Sequence, residues 1–109
     1  MTWVLLGLAI VSEVAGTLSL RASDGFSRVP WAAATLAGYV IAFALLAQVL
    51  KLGMPVGVAY GIWAAIGVAL TAFAGRILWG DPLTPMMGVG ITLIVGGVLL
   101  VELGSNAAS

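Results

Sequence analysis

Residues 3–20 hold a single charged side chain, Glu13, and three further apolar runs are as sparsely charged: 31–50, 56–79 and 86–103. Polar punctuation separates them. The break at 21–30 carries three charges, a glycine and a proline; 51–55 reads Lys-Leu-Gly-Met-Pro; 80–85 reads Gly-Asp-Pro-Leu-Thr-Pro. These are turn compositions. At ~1.5 Å per residue a helix of about eighteen residues is ~27 Å long, close to the ~30 Å hydrocarbon core of a bilayer. Strands of a membrane barrel would instead alternate apolar and polar positions over about ten residues. The pattern predicts an all-α integral membrane protein with four transmembrane helices in one membrane domain over residues 1–109, ending in a short, polar, frayed tail at 104–109.

Composition removes the soluble alternative. Hydrophobic residues make up 62% of the chain and charged residues 7%, against about 25% charged in ordinary globular proteins. So few charges cannot cover a water-facing surface, and lipid must be the solvent. Four Lys and Arg balance four Asp and Glu, leaving no basic face for nucleic acid. With no Cys and no His, there are no disulfides, no His or Cys metal site and no Cys–His nucleophile. No cofactor is expected, and no nucleophile or phosphate loop supports an enzyme. The first run lacks a basic segment ahead of it and is interrupted by Glu13, so we read it as a membrane helix and not a secretory leader. Four spans put Arg21, Arg28 and Arg76 on one side and Lys51 on the other, a small bias toward a cytoplasmic first loop that leaves insertion in both orientations open.

Seven of the eight charges fall in the breaks or near span ends; Glu13 alone lies within a few ångströms of a span's middle. A carboxylate there is unfavourable by roughly 2.5–3.5 kcal/mol on insertion scales, so an intramembrane acid is a functional-site hypothesis by default. On a helix Glu13 shares a face with Leu6, Ala9, Ile10, Gly16, Thr17 and Leu20. The small members of that set have two readings: space beside the carboxyl group, or close helix packing. In the third run Tyr60, Trp63 and Gly67 fall on one face. Tyr and Trp supply O–H and N–H donors together with π faces that attract cations. The competing reading is an interfacial aromatic belt, which suits Trp3, Trp31 and Trp79 at span ends better than Tyr60 and Trp63; Tyr39 takes either reading. Gly90 and Gly97, with Gly96 beside them, make a smooth stripe without chemistry, a helix-association surface. Glu102 stands near its span's end, within reach of the interface.

Four helices enclose little cavity and offer Glu13 no buried cation. Two chains paired through their fourth helices could bring two such carboxyl groups to one chamber. There double ionisation is disfavoured and the pair titrates as a unit. Protons or an organic cation neutralise such a site, each displacing the other. Opened to alternate sides, it exchanges protons for cations.

Over essentially its whole length the sequence resembles the small multidrug resistance transporters. The resemblance rests on SEVAGT at 12–17, SDGFSR at 23–28, PVGVAYGIW at 55–63 and the Gly90/Gly97 pair. It implies an antiparallel, dual-topology homodimer of four-helix subunits, multi-pass in the bacterial inner (plasma) membrane, coupling proton entry to cation export. Carried over by position, Glu13 is the carboxylate shared by proton and substrate. Tyr60, Trp63, Tyr39, Ala9, Ile10, Gly16 and Thr17 complete the site, and Gly90 and Gly97 form the dimer contact. Where the guanidinium-exporting branch typically carries a Trp and a site-facing Ser, this chain has Gly16 and Ala42. With Gly16-Thr17 and Tyr39 it is similar to the branch exporting lipophilic and quaternary ammonium cations. On this reading Gly16 leaves room for bulky cations. Ala65 stands where a glycine often aids bending of the third helix, Gly61 replaces a usual Ala, and Glu102 a usual Asn, which moves the expected hinge to Gly57, Gly61 or Gly67. The alternatives are a guanidinium or small-metabolite exporter, a partner subunit of a heterodimeric pair, and a structural membrane protein.

Overall fold

A computed structural model describes residues 1–108, and the described chain is all-helical: α1 Thr2–Ala22, α2 Val29–Lys51, α3 Val56–Trp79 and α4 Pro85–Ala108. All four are long and apolar enough to cross a membrane. Basic residues close the first three, with Arg21, Lys51 and Arg76 each in a last turn, where a cation complements the helix dipole. Pro30 falls in the first turn of α2, where its missing N–H leaves no hydrogen bond unmade. The fourth helix departs from expectation: it continues through residues 104–108 instead of fraying at Gly104. Nothing in that stretch obliges a stop, since it holds no proline and Ala107 and Ala108 favour helix.

The chain divides into two compact units, one ending at Leu52 and the other starting at Gly53. In the first, α1 and α2 form a tight helical hairpin. A Cβ built on Gly38 of α2 would stand 2.8 Å from the Ser12 carbonyl oxygen and 2.9 Å from Gly16 Cα of α1. The two backbones therefore touch, as membrane helices do when small residues remove the side-chain spacer and dispersion replaces the hydrophobic effect. Thr35, Ala42 and Val49, seven apart along α2, are buried, as are Leu6, Ala9, Ile10 and Val14 on α1. The connecting loop turns on Ser23, which is fully buried. Its Oγ donates to the Leu20 carbonyl at 2.6 Å and accepts the Phe26 N–H at 3.1 Å, while its carbonyl accepts the Arg28 N–H at 3.0 Å. That closure carries Asp24, Gly25 and Phe26 through left-handed backbone in succession.

In the second unit α3 ends on Gly80, which takes left-handed φ of 70°. The Gly80 N–H reaches the Arg76 carbonyl at 3.1 Å and the Asp81 N–H reaches the Gly75 carbonyl at 3.2 Å, the two-bond glycine stop that satisfies otherwise unpaired carbonyls. Gly80→Ala is expected to lower stability by about 1–2 kcal/mol, the cost of left-handed backbone with a Cβ; denaturant unfolding of the purified protein in detergent measures it. Helix α4 lies against α3 where Gly61 faces Val98, a Cβ on Gly61 meeting Val98 Cγ2 at 3.4 Å. No described side chain of α4 is buried in the single chain.

Candidate functional site

Near the middle of α1 the half-buried Glu13 is held from one turn further along its own helix. Thr17 Oγ1 donates to Glu13 Oε1 at 3.0 Å. The same hydroxyl lies 2.9 Å from the phenolic oxygen of Tyr39 on α2. A helix sets the first contact, because side chains four residues apart share a face. Only the packing of α1 on α2 sets the second, which links residues 22 apart in the chain. Ala9, Ile10 and Gly16 are buried on the same side of α1.

On the side of α1 that faces α2, the missing side chain of Gly16 leaves room that an aromatic ring takes up. A Cβ there would stand 2.9 and 3.0 Å from Tyr39 Cδ1 and Cε1, and 3.3 Å from the Thr35 carbonyl. The room left by the missing side chain is filled by the tyrosine ring, so Gly16 seats Tyr39 against α1. Ala42 is completely buried. Gly38 was not singled out from sequence, yet its contact with Ser12 and Gly16 fixes how α2 lies on α1. A lone glycine in an apolar run carries no sign of its partner; the adjacent Tyr39 was the one available signal.

The remaining candidates belong to the second unit. Trp63 is buried, as is Gly67, a position unlike that of a belt residue. Tyr60, three residues earlier, is 71% exposed and so presents its ring outward from the single chain. Helix α3 passes through Gly57, Gly61 and Gly67 without a break. Gly90 and Gly97 are open, as is Gly96, with nothing within 4 Å of a Cβ built on any of them.

The family model for the small multidrug resistance protein matches residues 1–94. The chain belongs to the small multidrug resistance family. Its similarity to individual members is near full length. It is 41% identical over 107 residues to a quaternary ammonium compound-resistance protein, QacE, of Escherichia coli, covering 98% of this chain and 96% of the relative. It is 39% identical to the multidrug transporter PA4990 of Pseudomonas aeruginosa, covering 97% and 96%. It is also 40% identical to the spermidine export protein MdtI of Salmonella paratyphi A, covering 89% and 88%. Small multidrug resistance proteins are transporters and not enzymes, and four apolar helices make this one a multi-pass membrane protein that exports small molecules.

Proposed function

We propose that the protein is a proton-coupled antiporter of lipophilic, aromatic and quaternary ammonium cations, with Glu13 binding proton and substrate in competition. The observation that carries this reading is the placement of Glu13: a half-buried carboxyl group mid-span, oriented by Thr17, which is itself bonded to Tyr39. A carboxylate kept at that depth needs a positive partner for part of the cycle, and α1 and α2 provide none near it. A proton or an organic cation supplies the charge, and the two exclude each other.

One chain has too few helices to wall off such a site, and we take the functional unit to be an antiparallel homodimer in the inner membrane. Helix α4, with no buried side chain among its described residues and its Gly90/Gly97 face open, is the surface for that pairing. Tyr60, exposed in the single chain, would then meet the shared chamber together with Trp63, where their π faces favour cations. Gly57, Gly61 and Gly67 are the places where α3 can bend as the chamber changes sides.

The similarity to a spermidine export protein at 40% identity favours a second reading, export of a polyamine. Polyamines carry several ammonium charges along a flexible chain, whereas the spans here hold one mid-membrane acid, which fits a compact lipophilic cation better. Proton release from detergent-purified protein on adding tetraphenylphosphonium, spermidine or guanidinium distinguishes them. Release with tetraphenylphosphonium that rises and falls with pH is the expected result. Release with spermidine or guanidinium alone would move the protein to metabolite export, and silence with all three would point to a subunit that needs a different partner.

A further inference from the structure

The Thr17 hydroxyl has one hydrogen, and while Glu13 is ionised that hydrogen is committed to Oε1 at 3.0 Å, because an ionised carboxylate can only accept. In the 2.9 Å contact between Thr17 Oγ1 and Tyr39, the tyrosine must therefore be the donor. The hydrogen bonds run in one direction, from Tyr39 to Thr17 to Glu13. The phenolic oxygen keeps its lone pairs pointing away from the relay.

We infer that this direction reverses when Glu13 is protonated, making Tyr39 a second determinant of whether a cation can bind. A protonated carboxyl group carries an O–H and becomes a donor. It gives its hydrogen bond to Thr17, Thr17 turns to donate to Tyr39, and the Tyr39 O–H swings outward. Each hydroxyl keeps its own hydrogen, so the only proton gained is the one on Glu13. With Glu13 ionised, Tyr39 offers a cation an acceptor oxygen; with Glu13 neutral, it presents the positive end of an O–H. The inference rests on the proposed antiport and deepens it, because proton and cation then exclude one another through three side chains and not through one charge alone.

The surroundings favour such a relay. Gly16 holds the Tyr39 ring against α1, which keeps the phenol within reach of Thr17. On α2, the helix packed against α1, Tyr39 is the titratable side chain that reaches this group. Arg28 and Lys51 are exposed at the ends of α2, and the exposed Arg21 lies eight residues along α1 from Glu13, ~12 Å at helical rise. Thr17 is thus a positioning residue, and its effect is read in a pH profile.

The test is tetraphenylphosphonium binding across pH to the full-length chain in detergent, for the parent, Thr17→Val, Thr17→Ser and Tyr39→Phe. The parent should lose affinity as pH falls. Thr17→Val removes a donor to the ionised carboxylate, and the midpoint of that loss should move to higher pH by about one unit, the scale of one hydrogen bond to a charged group. Thr17→Ser should restore the parent profile. Tyr39→Phe should reduce the ratio of alkaline to acid affinity, and it carries the test if Thr17→Val does not fold. A folded Thr17→Val with the parent midpoint, Thr17→Ser matching Thr17→Val, or Tyr39→Phe with an unchanged ratio would overturn the relay. Binding by the parent that ignores pH would overturn the antiport reading itself.

Discussion

On the proposed antiport, Glu13→Gln is expected to abolish cation-induced proton release and coupled export together, to the level of vesicles without protein, and to leave a folded helical chain. The substitution keeps the shape of the side chain, and its amide oxygen still accepts from the Thr17 hydroxyl that now meets Glu13 at 3.0 Å. What it removes is the charge, and with it the only mid-span group able to exchange a proton for a cation. Because a carboxylate in hydrocarbon is unfavourable by roughly 2.5–3.5 kcal/mol on insertion scales, the variant should unfold no earlier than the parent. Proton release and vesicle uptake of a fluorescent aromatic cation read the functional half of the prediction, and thermal unfolding in detergent the structural half. Pumping retained by the variant would take the carboxyl group out of the mechanism.

Gly38→Ala should cost about 1–3 kcal/mol of stability, the usual range for forcing a methyl group into a packed site. The expected loss is large because of what surrounds the new carbon. At 2.8 Å from Ser12 O, 2.9 Å from Gly16 Cα and 3.0 Å from Gly16 N, it meets backbone on a facing helix, which cannot turn aside as a side-chain end can. The helices must separate, and the separation draws Tyr39, the next residue, away from Thr17. Stability and the pH dependence of binding should therefore fall together. Gly7→Ala on α1, where nothing lies within 4 Å of the added carbon, is the matched control and should be neutral or slightly stabilising, since Ala favours helix over Gly by about 1 kcal/mol. Equal stability of the two variants would mean that the α1–α2 contact is looser than the structure has it.

The second half of the chain shows where a single sequence is hard to read. Tyr60 and Trp63 share a helical face by spacing, yet one is 71% exposed and the other buried. Three residues on a helix are about 60° apart, enough to put one ring outside the contact that buries the other. The polar tail at 104–109 reads as a frayed end by composition, yet residues 104–108 are helical, Ser109 lying outside the described residues, because polarity says that a segment faces water and not that its backbone lets go of its hydrogen bonds.

The sequence by itself determined the four spans and the position of the acid. Hydrocarbon tolerates neither unpaired backbone nor stray charge, so length, continuity and the placement of Arg21, Lys51, Arg76 and Glu13 report the helices directly. Glu13 stands out by the cost of a carboxyl group at mid-span alone. Only the tertiary structure decided what Gly16 and Gly38 are for, and that Tyr39 is bonded to Thr17. Those facts depend on the register of α2 along α1, where a slide of one turn, ~5.4 Å, would part the two hydroxyls and leave both glycines facing other atoms. Register is settled by the sum of many small contacts between residues distant in the chain, and no local pattern carries that sum.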